Sequence, residues 1–486
     1  MSITAKTINT LIFFSWIALL SLLFYKEFSG TPLEKNEILK GVLEKMSTWY
    51  DIYTGSKKIG FAETAYKKVG DEIIITHERQ MKVFKNDVET ILFHTMKCLT
   101  NLDYSIKSFE YTSHFRDEEG IKVTGEVDTE NVLLFLESQE KRKTLKTPIK
   151  GKGFYFPLTF IPLLVSKSPP PESVFSIPLL DLMSLSIQDV RVSVEEIRPI
   201  KSGINIFSIY KFKLGKMVFW SNEKGVIIKE EDPSGITLYS GPEAIAKDPS
   251  DRKIVDYTSL PFFRSNEIIP NAEGRTRLKV RIKGFSLDTK LYEHSLVTLK
   301  DGILTIKKDD PEQMKKRSYG LPYTDKILSG YINADEWVLS NDKNVKGNAL
   351  HMAAVEKNDA FRLARYLNSD LYFSVMPVPT FVLMNSKDLF KSRFGDCIGK
   401  TVMFASFARA AGLPTRVIGG FVYRGGFFYF HTWPEVWIDR WVPVDPTLAQ
   451  FPADVTHIPL KEGTLKDVTS IVNDLKPIAI EVLEVS

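Results

Sequence analysis

Three side chains near the end of the chain have the types and order needed for nucleophilic acyl transfer: Cys397, His431 and Asp445. A cysteine supplies the nucleophile, a histidine takes and returns the proton, and a carboxylate fixes the imidazole tautomer and stabilises the imidazolium. Each residue alone favours a structural role, as a buried thiol, a core histidine and a turn-forming aspartate. Their order and spacing, 34 residues from cysteine to histidine and 14 from histidine to aspartate, make an enzyme the leading hypothesis.

Cys397 is predicted to lie in the first turn of a helix. Asp396 is a typical N-cap, and Gly412 with Pro414 ends the helix after about Ala411. Free N–H groups at a helix N-terminus favour an anion, so we expect the pKa of the thiol to lie below its free value of about 8.5. Apolar residues around most of the circumference predict a buried helix that holds the sulfur rigidly.

The residues after this helix predict three antiparallel strands. Thr415 to Tyr423 and Phe427 to Ile438 are strands joined by a tight turn, and Trp441 to Val444 is the third. Adjacent strands can therefore present the histidine and the aspartate side by side. Pro434 has no N–H to donate, so its strand is expected to be an edge strand or to carry a bulge.

These motifs together resemble the core of the transglutaminase-like superfamily. The shared pattern has four parts in order: Gly395-Asp396-Cys397 opening a helix, the segment Ala-Arg-Ala-Ala-Gly-Leu-Pro-Thr-Arg at 408–416, a strand with His431-Thr432-Trp433-Pro434-Glu435-Val436, and Asp445-Pro446-Thr447. The match covers roughly Asn348 to Leu460. It implies a papain-like fold core, with Cys397 as nucleophile, His431 as general base and acid, and Asp445 as the partner that orients the histidine.

The resemblance implies attack on a peptide or carboxamide carbonyl to give a Cys397 thioester. Hydrolysis of this thioester, by a peptidase or amidase acting on a protein or peptide, is the first hypothesis. The second is a protein-glutamine transglutaminase with an amine acceptor, and the third is a non-catalytic envelope binding or scaffold protein, against which the complete triad argues. The backbone N–H of Cys397 is one expected oxyanion donor, and the sequence does not identify a second. Trp433, Glu435 and Trp437 are expected to pack around and support the histidine.

Composition limits the other possibilities. A chain of 486 residues is expected to form two or three domains, and a net charge of +4 is too small to indicate nucleic-acid binding. Only Cys98 and Cys397 are present, which excludes a disulfide framework, and Cys98 is expected to be a buried free thiol. His351, and the pair His431 and His457, lack zinc-ligand spacing, so neither a metal nor a cofactor is expected.

Residues 8–25 form an uncharged apolar run of 18 residues, which predicts a membrane anchor. An uncleaved anchor is favoured over a signal peptide, because no convincing small-x-small cleavage site follows. The sequence therefore predicts a single-pass membrane protein of the bacterial envelope, with its bulk in the periplasm or on the cell surface. The oligomeric state is not determined.

The predicted fold class is α+β: an N-terminal membrane helix, an all-β antiparallel domain, then a papain-like transglutaminase core with a preceding β segment. Alternation of apolar and polar residues predicts successive strands at 71–77, 88–99, 106–114, 121–126 and 131–138. Helices are predicted at 348–355, 359–367 and 380–392. The expected domains are residues 1–30 (tail and anchor), 31–247 (β-rich domain), 248–330 (linker and β segment) and 331–486 (catalytic domain).

Overall fold

The computed structural model describes residues 31–32, 45–85, 88–138, 141–149, 153–182, 184–254, 256, 260–378, 381–474 and 479–486. The chain forms two compact units. The first contains the residues up to Pro199 and Ser208–Asp251, and the second contains Ile200–Phe207 and Arg252–Ser486. The turn Ile200–Phe207 is therefore part of the second unit. The predicted boundaries at residues 30, 247 and 330 stay a prediction.

A 15-stranded sheet dominates the first unit. Strands that are consecutive in sequence are hydrogen-bonded neighbours from β2 to β9 and from β10 to β15. Strand β15 pairs with β2, and β1 pairs in parallel with β10. Their bounds are β1 Thr31–Pro32, β2 Lys45–Thr54, β3 Lys57–Val69, β4 Glu72–Lys85, β5 Val88–Asn101, β6 Ile106–Phe115, β7 Ile121–Asp128, β8 Asn131–Ser138, β9 Lys141–Pro148, β10 Val174–Asp181, β11 Ser186–Ser202, β12 Asn205–Leu214, β13 Met217–Ser221, β14 Ile227–Glu231 and β15 Ile236–Gly241. The five strands predicted between residues 71 and 138 are confirmed as β4 to β8, with β4 extending well past its predicted end.

An apolar helix lies in the core of this sheet. Helix α1 (Pro157–Ser166) is buried along nearly its whole length, and its Phe160, Ile161 and Leu164 belong to one cluster with inward-facing residues of the strands. Alternating strand residues supply that apolar face, as the period of two requires. The first unit also contains the short helix α2 (Glu243–Ala246).

The second unit contains two smaller sheets. One has five strands in the order β16-β21-β20-β23 with β22 also paired to β21, and the other has the order β18-β19-β17-β24. The bounds are β16 Phe262–Arg264, β17 Arg277–Lys283, β18 Val297–Lys300, β19 Ile303–Lys307, β20 Thr415–Arg424, β21 Phe427–Trp437, β22 Trp441–Pro443, β23 Ile458–Gly463 and β24 Ala479–Val485. Side chains of both sheets pack into one core around Trp433, Phe421 and Leu278.

The second unit has a central, buried helix, α7 (Cys397–Ala410). Its other helices are α3 Pro311–Lys316, α4 Lys343–Val355, α5 Ala360–Ser374, α6 Ser386–Ser392 and α8 Leu465–Asp474, with 3₁₀ turns at Ala272–Gly274, Thr289–Tyr292 and Lys326–Ile332. Helix α7 packs against α4, α5 and α6 and against β20 and β21. It ends within one residue of its predicted limit, α4 and α5 are longer than predicted, and α6 begins only at Ser386.

The predicted α+β class is wrong, because the described part of the chain is mostly β, with 48% of its residues in strands and 21% in helices. The 15-stranded sheet of the first unit supplies most of these strand residues. The second unit also builds two sheets from segments far apart in sequence: β17 pairs with β24 near the C-terminus. Pairing between strands that are far apart in the sequence cannot be recognised from local sequence patterns.

The prediction of a membrane helix, and with it a single-pass membrane protein, is also contradicted. Within the part of the chain that the structure describes, every helix is too short or too polar to cross a bilayer. Residues 8–25, on which the prediction rested, lie outside the described residues.

Pro434 lies neither at a sheet edge nor in a bulge. Its strand β21 pairs in continuous register with β20, where Pro434 faces Val417. On its other side β21 is paired by β16 at one end and by β22 at the other. Pro434 falls in the gap between these two partners, where its missing N–H breaks no ladder.

Candidate active site

Cys397 is the first residue of the buried helix α7. The side chain of Asp396 caps the helix by accepting the backbone N–H of Gly399 at 3.1 Å, which is the N-cap contact predicted from the sequence. Cys397 is half-buried, and the backbone N–H of Thr432 forms a hydrogen bond that favours its thiolate. The sulfur therefore lies beside the strand that carries the adjacent residue His431.

His431 and Asp445 are brought together as predicted. The Nε2 atom of His431, on β21, lies 2.8 Å from Oδ2 of Asp445, and both side chains are fully buried. Asp445 follows β22, and its Oδ1 accepts the backbone N–H groups of Thr447 at 2.7 Å and Leu448 at 3.1 Å. The carboxylate is thus held by backbone donors on one oxygen and by the imidazole on the other.

The strand beside His431 leaves no room for a side chain. Gly420 of β20 is paired with His431, and a Cβ atom there would lie 2.0 Å from the carbonyl oxygen of Ile458 and 2.9 Å from the Trp433 ring. Since real Cβ atoms do not approach other atoms so closely, only glycine fits. This close packing fixes the position of the strand behind the histidine.

A second histidine binds the same carboxylate, and the sequence did not assign it to the site. The Nε2 atom of His457 lies 2.9 Å from Asp445 Oδ2, and its Nδ1 lies 3.3 Å from Asp454 Oδ1. Asp454 is in turn bound by Gln450 Nε2 at 2.8 Å and by the hydroxyl of Thr456. No local motif marks this relay, and only the nearness of His457 to Asp445 in the sequence hinted at it.

Lys201 is the other site residue that sequence reasoning missed. It belongs to the turn Ile200–Phe207 of the second unit, and its Nζ lies 3.2 Å from Nδ1 of His431. An ammonium group can only donate, so Nδ1 accepts this bond and carries no proton, while Nε2–H donates to Asp445. The nitrogen that would take the thiol proton therefore faces an amine. Lys201 is 230 residues from His431 in the sequence, so no local motif could link the two residues.

Burial and neighbouring charges set the protonation states of the cluster. Burial, with the charge of Lys201, lowers the pKa of His431 to about 4. Burial opposes ionisation of Asp445, but the hydrogen bonds and charges of His431 and His457 outweigh it and hold its pKa well below the usual range. Burial also opposes charge on His457, yet its bonds to Asp445 and Asp454 raise its pKa to about 9. At neutral pH His431 is neutral, Asp445 ionised and His457 cationic.

The expected low pKa of Cys397 is contradicted. Burial raises the pKa of the thiol to about 12, and the negative charge of Asp396 adds to this rise. Lys201 and the Thr432 N–H act in the opposite direction but do not overcome it. At this position the desolvation of the thiolate outweighs these favourable contacts. The resting site therefore holds a neutral thiol beside a neutral imidazole.

The remaining predicted residues have structural partners. Glu435 binds Arg416 through Nε at 2.9 Å and Nη2 at 2.6 Å, and this buried pair joins β20 to β21. Trp433 is fully buried and stacks near His431 with ring centroids 6.1 Å apart. Cys98 is a buried free thiol on β5, as predicted.

The two histidines and the carboxylate of the relay also have the types of side chain that bind metals. Their ligand atoms lie within 4.8 Å of one another in the described chain. Sequence spacing had suggested no such grouping for His431 and His457. Each of these atoms already has a hydrogen-bond partner within the relay, so the hydrogen bonds account for the cluster.

Comparison with known proteins identifies the region around the site. Residues 344–446 match the family model described as transglutaminase-like superfamily. No curated protein matches the chain in sequence. Among solved structures, the chain is similar to a beta-barrel-like protein of a domain of unknown function from Brucella abortus, at 11% identity and TM-score 0.33, over 41% of this chain and 96% of that one.

A candidate cysteine protease from Cytophaga hutchinsonii is similar at 11% identity and TM-score 0.28, over 46% of this chain and 82% of that one. Both TM-scores are too low to support a conclusion about fold or function. The family match contains Cys397, His431 and Asp445 and confirms the resemblance seen in the motifs. Residues 344–446 are a domain of the transglutaminase-like superfamily.

Proposed function

We propose that the protein is a thiol enzyme that transfers acyl groups from a peptide or carboxamide carbonyl, through a thioester on Cys397, to water. The observation that carries the proposal is the buried pair of His431 and Asp445, 2.8 Å apart, beside the helix that begins with Cys397. Transglutaminase-like domains are a family of thiol hydrolases and acyltransferases, which supports the general reaction class.

The protonation states favour general-base activation over a preformed ion pair. As the sulfur attacks the carbonyl carbon, its proton moves to Nδ1 of His431. Asp445 stabilises the imidazolium through the Nε2–H bond, and the N–H of Cys397 at the helix N-terminus faces the developing oxyanion. His431 then gives the proton to the leaving amine or ammonia, and a water activated by the same imidazole releases the acid.

The test uses an activated ester, because such an ester can acylate a reactive thiol even when its leaving group differs from that of the natural substrate. With p-nitrophenyl acetate we expect nitrophenol release and a hydroxylamine-labile acetyl group on Cys397, found by mass spectrometry. Cys397→Ala should lower turnover by at least about a thousandfold.

Cys98→Ala is the matched control, since it removes the other thiol of the chain from a buried site in the first unit. It should leave the rate unchanged. Turnover that survives in Cys397→Ala, or an acetyl group found only on other residues, would refute the proposal and leave a binding or scaffold role.

Transfer to an amine is the second candidate, and one contact favours it. The Nζ atom of Lys201 stands at the base nitrogen of His431, where an acceptor amine must lose its proton. Covalent incorporation of dansylcadaverine into casein, dependent on Cys397, would identify a transamidase. Release of ammonia or new N-termini without incorporation would identify a hydrolase.

A further inference from the structure

The turn Ile200–Phe207 holds a lysine amine inside the site. Lys201 lies at the end of β11, and Ser202 and Gly203 that follow are buried. Gly203 has φ +61°, and a Cβ atom there would lie 3.2 Å from Cβ of Pro377. On its other side Ile206 approaches Gly425, where a Cβ would lie 3.4 Å from Cδ1 of Ile206. Contacts on both sides thus fix the turn against the rest of the second unit.

The position of the Lys201 amine matches the position that an acyl acceptor requires. An acceptor must lie within hydrogen-bond distance of the base that takes its proton and beside the thioester carbon. The Nζ atom is 3.2 Å from Nδ1 of His431. The backbone N–H of Thr432, the residue after His431, forms a hydrogen bond with the Cys397 sulfur, so the imidazole that contacts the amine lies on the strand beside the thiol.

The surroundings of Lys201 are unlike those of a structural cation. A buried ammonium group in an ion pair normally binds a carboxylate, as Lys58 binds Asp51 in the first unit. The hydrogen-bond partner of Lys201 is instead a neutral imidazole nitrogen, which is a base. Burial lowers the pKa of Lys201, which increases the fraction of nucleophilic free amine.

We propose that Lys201 is an intramolecular acyl acceptor, so that the chain modifies its own lysine with the acyl group first carried by Cys397. This rests on the proposed thioester. The free amine of Lys201 attacks the thioester carbon, a C–N bond forms and the C–S bond breaks. Nδ1 of His431 takes a proton from the nitrogen and returns it to the departing thiolate, leaving an N-acyl-lysine and a free thiol. The products contain all atoms of the reactants, and no oxidant or further reactant is needed.

The experiment treats the full chain with p-nitrophenyl acetate and maps acetyl groups by peptide mass spectrometry before and after hydroxylamine. We expect an early hydroxylamine-labile acetyl group on Cys397 and a later, stable acetyl group on Lys201 that approaches one per chain. Lys201→Arg keeps the positive charge but not the nucleophile, so it should lose the stable acetyl group at position 201.

Chemical acetylation of lysine by the ester is distinguished by two controls. Cys397→Ala should lose the Lys201 modification while the background on other lysines stays the same. Lys400 is the internal comparison, because burial lowers its pKa to about 8 while its Nζ binds the carbonyl oxygen of Tyr372 at 3.0 Å. It should react equally in both proteins.

The outcomes separate this inference from the proposed function. If Cys397 is acetylated and deacetylated while Lys201 stays unmodified, the acceptor role is overturned and the thiol enzyme stands. If acetylation of Lys201 is the same in Cys397→Ala, the transfer is not enzymatic and the inference is also overturned. If Cys397 itself is never acetylated, both proposals fail.

Discussion

Asp445 is shared by two histidines in different protonation states. Its Oδ2 accepts from His431 at 2.8 Å and from His457 at 2.9 Å. Because His457 is cationic, it keeps Asp445 ionised but also opposes a second positive charge on His431. His457 therefore acts as a positioning residue, which holds the carboxylate in place and limits the basicity of the proposed general base.

His457→Gln should separate these two effects. Glutamine can still donate a hydrogen bond to Asp445 but carries no charge. The rings of His431 and His457 are 5.8 Å apart, so removing the cation should raise the pKa of His431 by about one unit. The acidic limb of the kcat/KM profile for p-nitrophenyl acetate should move to higher pH by the same amount.

His457→Phe removes both the donor and the charge and serves as the comparison. It should lower kcat more than the glutamine variant, because Asp445 loses a hydrogen bond that orients it. A purely structural role for His457 predicts lower stability with an unshifted pH profile. That result in His457→Gln would contradict the electrostatic role.

Helix α7 and the strands around it show which elements sequence can predict. Asp396, Gly412 and the Gly425-Gly426 turn mark the ends of α7, β20 and β21, and local signals of this kind act within a few residues. Cys397 and His431 were predictable because they lie on these elements, and Asp445 closely follows the short third strand β22. Lys201 and His457 reach the site through long-range packing that no local pattern encodes, and the pKa of Cys397 depends on burial that sequence does not measure.

One buried ion pair, Arg416 with Glu435, joins β20 to β21, and its contribution to stability can be tested. Arg416 also binds Glu462 Oε2 at 2.6 Å and lies over the Trp441 ring at 4.6 Å. Glu435→Ala leaves this guanidinium without its buried partner, which typically costs about 3–5 kcal/mol. Urea denaturation followed by tryptophan fluorescence should show this loss.

The matched control is Glu481→Ala, which removes an exposed partner of Lys283 and Arg281 in the other sheet of the same unit. Solvent screening makes such pairs weak, so its unfolding midpoint should stay near that of the unchanged protein. An equal loss of stability in the two variants would show that burial of the Arg416 pair has no special role.

The two units should differ in the dependence of stability on pH. In the second unit His457 has its pKa raised to about 9, so the stability it contributes is complete below its unfolded pKa of about 6.5 and is lost as pH rises to 9. Asp396, whose pKa burial raises to about 7, acts in the same direction, and its contribution is lost mainly as pH rises from about 4 to 7. In the first unit burial lowers the pKa values of His77 and His94, so both are neutral there at pH 7 and above.

Between pH 7 and pH 8 the second unit should therefore lose about 1 kcal/mol of stability, because the proton that His457 holds in the folded but not the unfolded state outweighs the opposite effect of Lys400, whose pKa burial lowers to about 8. The first unit should change little over the same interval. The measurement is a urea series equilibrated at each pH, followed by a brief deuterium pulse at one fixed pH and mass spectrometry of peptides from β4 to β8 and from β20 to β23. His457→Gln should remove most of the slope in the second unit, because the raised pKa belongs to that imidazole. Equal slopes in the two units, or a slope unchanged in the variant, would show that His457 is not the cation that Asp445 and Asp454 stabilise.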